Sequence, residues 1–464
     1  ASIASVTTPR VARLRANDRK TPVVAASFAE QRNPELVKVA QETPATRRYA
    51  AQVHLKGRSC AMWDAKWLLA SVLTCAAGWA GEPPDCAGGC AGPASFQLDT
   101  IYTGDAWRNM SGGHATGNRY LDNIDIMLDA NTGPLFGVEN ARFFAYVLHD
   151  HGNQLSDQLT GSAQGISNIE TGNSLRLYEI WTEWQMSRTP GSIRVGLYDL
   201  NAEFDSIETA GIFVNPSSGI GPDFSQSGRN GPSIFPNTSL ALRYATQRGR
   251  WSFQSAMLDG VPGDPDHPEG MHVSLSNRDG LLLVNEVNYQ PANASRLGLG
   301  YWRYTAAFED LMATDESGEP LTRHDNDGFY AIAESPYLFS KDKEVGTRFF
   351  LRVGATESRI NPIEHYYGFG AVYNGRIGTR LSDQIGLAVS IAELGTPSFA
   401  LLAAESGKPW KRETIIELTY RADISGWLMI QPDIQYIQHP GMDRGTESAW
   451  LIGLRFQVNR GWSW

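Results

Sequence analysis

The chain has 464 residues, a formal net charge of −10, 46 glycines, 13 tryptophans and 17 tyrosines. No apolar run approaches the ~20 residues that a membrane-spanning helix needs, and no basic stripe suited to nucleic acid is present. What remains is a β-rich chain of one large domain or of several small ones.

Charge is uneven along it. Residues 1–80 hold 12 Lys/Arg against 5 Asp/Glu, and residues 81–464 carry a net charge of −17. The first methionine is Met62. Lys66, the apolar stretch from Trp67 to Ala77 and the small residues before Gly81 have the outline of a secretory signal peptide over residues 62–80. A buried helix is the alternative for that segment. Residues 1–61 are expected to be leader sequence translated from upstream of the real start, with a basic disordered arm as the other reading. Residues 81–94 then form a short periplasmic N-terminal segment, in which Cys86 and Cys90 are a disulfide pair or two free thiols. No histidine near them suggests a metal site.

From Ser95 onward strict alternation of apolar and polar residues predicts strands, in chain order. They cover Phe96–Thr103, Tyr120–Ala130, Val138–Leu148, Ser174–Met186, Ser192–Asp199, Leu240–Thr246, Trp251–Leu258 and Leu281–Gln290. Arg296–Thr305, Phe329–Ser335, Thr347–Thr356, Tyr366–Asn374 and Ile385–Glu393 follow. Thr414–Asp423, Trp427–Ile437 and Ala449–Arg460 close the series. That makes about 16 strands, most of them near the ~9–11 residues that cross a bilayer when tilted. No convincing amphipathic helix is found. Pro432 cannot donate a ladder hydrogen bond, so a bulge or strand end near a rim is expected there.

The connections alternate between long and short, as in an up-and-down meander with one elaborated rim. A loop of about 16 residues is expected after the first strand, and one of about 40 residues over Leu200–Ser239. HDHG (His149, Asp150, His151) and DPDHPEGMH (Asp264, Asp266, His267, Glu269, His272) have metal-ligand residue types. Both are expected on outer loops, as solvated surface.

The polar sides of the strands carry Glu179, Glu183, Arg243, Glu286, Asn288, Arg348, Arg352, Glu417 and Arg421, with very little lysine. Small residues join them: Gly386, Ala388 and Ser390 oppose Ile385, Leu387, Val389 and Ile391. This composition suits the wall of a water-filled tube better than a solvated outer face. Trp450, Ile452, Leu454, Phe456 and Val458 share one side of the last strand, and Trp462 and Trp464 keep its register, which fits an interfacial aromatic girdle. The apolar sides are therefore expected to face lipid. The fold class is an all-β, closed antiparallel transmembrane β-barrel with a long in-folding constriction loop.

The segments RVGLYDLNAEFD, FPNTSLALRY, LDGVPGDP, RLGLGYWRYT, YGFGAVYNGRIGTRLSDQIGLAVS and ETIIELTYRADISGWLMIQPDIQYIQHPG occur in order and spacing across Phe96–Trp464. Together they resemble the carbohydrate-selective outer-membrane porins, the OprB-like family. The resemblance implies a 16-stranded barrel through which sugars diffuse into the periplasm, set in outer-membrane lipid. Other porin families end in Phe; here an aromatic, Trp464, is still available to the barrel-assembly machinery. Monomer and homotrimer both remain open.

A sugar in a pore needs planar polar groups for its hydroxyls and aromatic rings for its C–H face, and its binding must stay weak. From the wall the candidates are Glu179, Glu183, Arg194, Arg243, Arg348, Arg352, Glu417 and Arg421. From the long connection they are Glu203, Asp205, Glu208, Asn215, Asp223 and Arg229. A solvated lumen residue or a structural ion pair is the plain alternative for each. No nucleophile elbow, phosphate loop or metalloprotease helix occurs, and no cofactor is expected. A general or organic-acid porin, and a secreted sugar-binding β-sandwich, are the competing readings.

Overall fold

In lipid every backbone N–H and C=O must find a partner within the protein, and a closed ring of strands is the β arrangement that achieves this. In the computed structural model sixteen antiparallel strands close such a ring. The described residues are 95–131, 140–152, 154–187, 189–265, 279–291, 295–339, 345–377 and 380–464. The expected leader, signal peptide and N-terminal segment with Cys86 and Cys90 lie outside them, as do Asp266, His267, Glu269 and His272.

The wall runs through β1 (Ser95–Gly113), β2 (Gly117–Asn131), β3 (Ala141–His151), β4 (Ser174–Gln185), β5 (Ser192–Tyr198), β6 (Ser239–Arg248), β7 (Trp251–Asp259), β8 (Leu281–Tyr289) and β9 (Arg296–Tyr304). A side hairpin, β10 (Phe308–Thr314) and β11 (Pro320–Arg323), interrupts the series outside the ring. The wall resumes with β12 (Asp327–Glu334), β13 (Gly346–Thr356), β14 (Ile363–Ile377), β15 (Arg380–Leu394), β16 (Arg412–Ser425), β17 (Leu428–Gln438) and β18 (Glu447–Ser463). β9 pairs directly with β12, and β1 with β18 closes the ring.

The orientation is the one the alternation called for. On β16 and β18, Leu418 and Leu454 are 43% and 47% exposed, whereas Glu417 and Arg455 are 1% and 8% exposed. Apolar side chains point out and charged ones point in. Outward aromatics ring both ends: Trp184, Trp251 and Trp427 near one rim, Trp450 and Phe329 near the other. Trp251 packs on Tyr289 at 4.7 Å and Trp450 on Tyr436 at 4.7 Å, as expected of interfacial girdles.

Three local expectations, on the first loop, HDHG and Pro432, are corrected, and three features went unmarked in the sequence. The loop after the first strand is only a short turn, because β1 continues to Gly113 and β2 begins at Gly117. Beyond the lipid belt the pattern inverts: Trp107 is buried inward while Arg108 and Met110 are exposed outward. HDHG is strand, not loop: Asp150 points inward and is buried against Arg176, while His149 and His151 point outward. Pro432 sits midway along β17 without a bulge. Thr419 faces Asp433 and Ala422 faces Ile430 in one register, with the rungs between them absent because proline has no N–H. A helix, α1 (Thr396–Ser406), packs Leu402 against Ile363, Leu394 and Met442 at the elaborated rim. Its apolar residues surround it, with Leu401 exposed beside buried Leu402, so no one-sided stripe marked it. The side hairpin β10–β11 was likewise unmarked.

If Leu418 touches lipid, Leu418→Arg near mid-belt should cost about 2–4 kcal/mol of folding free energy in vesicle-based unfolding titrations. A cost near zero would place this residue in water.

Candidate pore constriction

A loop that enters a barrel brings backbone N–H groups with no ladder to join, and each needs an acceptor. The wall supplies carboxylates. The connection over residues 199–238 folds into the lumen, where its Asp205 N–H donates to Glu286 at 2.9 Å. Its Thr209 N–H and hydroxyl both donate to Glu334 at 2.7 Å. Its Val214 and Asn215 N–H groups donate to the two oxygens of Glu417 at 2.6 and 3.1 Å. Glu286, Glu334 and Glu417 are all buried, so these hydrogen bonds are withdrawn from water.

Apolar packing supports the same docking. Phe224 stacks on Trp302 at 4.9 Å and lies 6.2 Å from Tyr330, while Phe213 meets Phe350 at 5.8 Å. Between these contacts stands Arg352, fully buried, with Nε and Nη2 donating to Asp205 at 3.1 and 2.6 Å and Nη1 donating to Asp223. The rings of Tyr330 and Tyr366 flank the guanidinium at 5.6 and 5.2 Å. Gly221 and Gly354 leave the space it occupies; a Cβ at either would collide with Arg352 or Asp223.

A second connection, residues 154–173, enters from the same rim, between β3 and β4. Glu413 accepts from the Ser162 hydroxyl at 2.8 Å, from Ala163 and Gln164 N–H at 2.9 and 3.0 Å, and from Gly441 N–H at 2.6 Å. Asp105, paired bidentately with Arg455 at 2.7 and 2.8 Å, accepts from the Ser167 hydroxyl at 2.7 Å. Leu155, Leu159, Ile166 and Ile169 pack against Trp107, Leu451 and Val214.

The two loops together cover the inner faces of β5–β9 and β12–β18. The inner faces of β2 and β3 are left only in their lower halves, with that of β4, since Leu121, Asn123, Leu148 and Asp150 above are buried. Met127, Asp129, Arg142, Phe144 and Tyr146 point inward there and are half-buried or exposed. Among the described residues no hydrogen bond from either loop reaches Asp125, Asp129, Arg142 or Tyr146. The wall bonds within itself instead: Arg142 Nε donates to Asp129 at 2.9 Å, and the Tyr146 hydroxyl to Asp125 at 2.7 Å.

The residues singled out from sequence fall into three groups. Glu183, Arg194, Arg243 and Glu203 form one alternating network, with Arg194–Glu183 at 2.6 Å, Arg194–Glu203 at 3.1 Å, Arg243–Glu183 at 3.2 Å and Arg243–Glu203 at 2.7 Å. Its Glu203 edge is partly open. The Arg194 guanidinium lies 3.8 Å over Trp181, whose ring stacks on Phe144 at 5.0 Å, so the network abuts the uncovered wall. Arg352, Asp205, Asp223, Asn215 and Glu417 form the buried anchor of the long loop, and Asn215 also donates to Gly165 O at 2.9 Å, which ties the two loops together. Glu179 belongs with the anchors, accepting from Trp181 Nε1 at 3.0 Å and Asp199 N–H at 3.1 Å. Glu208, Arg348, Arg421 and Arg229 lie elsewhere. Glu208, with a 79% exposed side chain, pairs with Arg348 at 2.9 Å; Arg421 pairs with Asp423 at 3.4 Å; Arg229 donates to Ala307 O at 2.9 Å.

At the start of the long loop, burial pushes the Asp199 carboxyl up to about 6, against hydrogen bonds from the Tyr178 hydroxyl at 2.8 Å and the Asn201 N–H at 2.9 Å. Sequence reasoning passed over Phe144, Tyr146, Arg142 and Trp181. The run RFFAYVL on β3 is apolar on both faces, so alternation could not say which rings face the lumen. Asp125 and Asp129 were legible as inward but were not selected.

Residues 115–459 match the family model described as carbohydrate-selective porin, OprB family. Porin B of Pseudomonas aeruginosa is 24% identical over 410 residues, covering 78% of this chain and 87% of that protein. A high-pH structure of OprB from Pseudomonas putida superposes with a TM-score of 0.69 at 20% identity, covering 79% of this chain and 94% of that one. The outer-membrane channel DcaP of Acinetobacter baumannii reaches a TM-score of 0.50 at 10% identity, covering 79% of this chain and 97% of that one. The chain belongs to the OprB family of carbohydrate-selective porins, and it is a channel through which carbohydrates diffuse across the outer membrane.

Proposed function

We propose that sugars cross this channel along the lower inner faces of β2, β3 and β4, the strip that the two in-folded loops leave uncovered. One observation carries this reading. At the level of the loops the opposite wall carboxyls Glu286, Glu334 and Glu417 are buried under loop backbone, whereas Asp129 and Arg142, though paired with each other, and the Glu203 edge keep water-accessible polar atoms. A sugar hydroxyl can both donate to these carboxylates and accept from the guanidinium.

Selectivity for neutral solutes follows from the charge balance. The Glu183–Arg194–Arg243–Glu203 network is electrically neutral, and the Arg142–Asp129 pair cancels itself. Asp125, Glu179 and Asp199 have no cation of their own among the hydrogen bonds described. The strip is therefore rich in hydrogen-bonding atoms, and its cations Arg142, Arg194 and Arg243 are each paired with a carboxyl, which leaves an anion no free cation to bind. This favours sugars over the organic-acid reading. Export of the barrel would rest on residues 62–80 acting as the signal peptide. N-terminal sequencing of the protein recovered from outer membranes should then begin at Gly81, and a start within residues 1–61 would contradict that assignment.

Liposome swelling tests the selectivity directly. Glucose should enter several-fold faster than gluconate, a solute of similar size bearing a negative charge. Equal rates would leave a general diffusion pore.

The anchor makes a separate prediction. Arg352→Ala leaves Asp205 and Asp223 buried without their cation, a loss of about 3–5 kcal/mol in comparable buried pairs. The long loop should undock, and a trisaccharide that the unaltered channel excludes should swell liposomes carrying the variant. Unchanged exclusion would mean that Arg352 does not hold the constriction.

A further inference from the structure

Two patterns of charge occur at the elaborated rim. On the side of β10–β14, Arg359 meets both Glu357 and Asp325 at 2.7 Å, and Arg323 meets Asp310 at 2.7 Å. On the side of β15–β18 the ratio reverses. Lys411 and Arg412 share one carboxylate, Glu393, at 2.6 and 2.7 Å. Arg444 lies 4.0 Å over the ring of Trp410 and makes no ion pair among the described residues. Lys408 is exposed three residues before Lys411. Past residue 80 the chain has four lysines, and two of them stand here.

The strand ladder fixes this cluster in place. Leu394 N–H donates to Lys411 O at 2.9 Å, and Trp410 N–H donates to Met442 O at 2.7 Å. His439 stacks on Trp410 at 3.9 Å, which holds the ring under Arg444. The side chains of Lys411 and Arg412 are nevertheless 51% and 60% exposed. Asp443 is engaged by its own turn, accepting from the Gly445 N–H and the Thr446 hydroxyl at 3.1 Å. Glu405 on α1 and Glu447 at the head of β18 are exposed, and among the described residues they pair with none of the four cations.

The lipid-facing row beneath sets the depth of the cluster. On β16 the outward positions run Arg412, Thr414, Ile416 and Leu418. Ile416 is the register partner of Tyr436, which stacks on Trp450 in the outer girdle. Arg412 therefore stands two outward positions beyond the girdle, at headgroup depth, and the acyl region begins at Ile416. A free anion would meet the cations alone. An amphiphile meets both parts, with phosphate on the cations and chains on Ile416 and Leu418. Guanidinium and ammonium groups are well suited to phosphate oxygens.

We propose that Lys408, Lys411, Arg412 and Arg444 bind the phosphorylated headgroup of an outer-leaflet glycolipid, whose chains lie along Ile416 and Leu418. Glu393 holds Lys411 and Arg412 side by side, and the three groups together keep one positive charge for the phosphate. The site lies on the outside of the wall, away from the passage. It seats the barrel in its leaflet and has no part in choosing the solute.

The test is native mass spectrometry of the detergent-solubilised barrel, with diphosphoryl lipid A, dephosphorylated lipid A and inorganic phosphate as probes. Heat-dependent gel mobility verifies that each barrel is closed. Lys411→Gln and Arg444→Gln both leave the Arg412–Glu393 pair in place. Each should weaken binding of diphosphoryl lipid A about fivefold, and the two together about 25-fold. Arg359→Gln, at a matched site on the same rim, should leave it unchanged, and glucose-driven swelling should be the same throughout. Equal binding by the unaltered and doubly substituted barrels overturns the proposal, as does equal binding of lipid A with and without its phosphates. A loss at Arg359→Gln as large as at Arg444→Gln would show general charge attraction and overturn it as well. Saturation by inorganic phosphate at the concentration that saturates lipid A would reveal a free-anion site, which also contradicts it.

Discussion

The structure depends on how backbone N–H groups are satisfied once two long connections have entered a closed barrel. In the wall, neighbouring strands satisfy one another. Inside, a loop has no such neighbour, and an orphaned buried N–H costs about 1–3 kcal/mol. Glu286 on β8, Glu334 on β12, and Glu413 and Glu417 on β16 point inward and each receive loop N–H groups. Arg352 works in the opposite sense, as one wall cation holding two loop carboxylates. These contacts turn a flexible connection into a fixed partition of the lumen.

Permeation follows from the partition rather than from the barrel. A ring of this many strands is wide enough for an aqueous channel, so the solute that passes is decided by what the loops leave open. Most of the charged wall is occupied in docking them. The aqueous strip along β2 and β3 therefore presents mutually paired charges beside aromatic rings, a surface able to exchange hydrogen bonds with a polyol without trapping an ion. Charges that look alike along the sequence thus have two different tasks: Glu417 is a loop anchor, and Asp129 faces the passage.

Much of the architecture was legible from alternation alone, because the period of two is enforced wherever one face meets lipid and the other meets water. Glu417 and Leu418 sort correctly on that basis, as do Arg455 and Leu454. The signal failed where the enforcing contrast is missing. Above the belt, Trp107 turns inward and Arg108 outward, since no lipid is there to exclude the charge. On β3, Phe143 and Phe144 are both aromatic, one toward lipid and one toward the lumen, and composition cannot separate them. The same limit applies to the charged set. Glu179, Glu183, Arg194 and Arg243 could be assigned to the inner wall, but which charge meets loop backbone and which meets solute depends on how residues 199–238 fold across the barrel, through contacts far apart in sequence.

The location of the passage is open to direct measurement by thiol accessibility. Met127 and Val372 both point inward, Met127 on the uncovered strip and Val372 beneath the long loop. With cysteine at each position in turn, a bulky charged thiol reagent should react quickly at 127 and stop sugar entry, and should barely react at 372. Rapid closure through position 372, with position 127 inert, would mean that solute travels beneath the loop and that the partition described here is wrong.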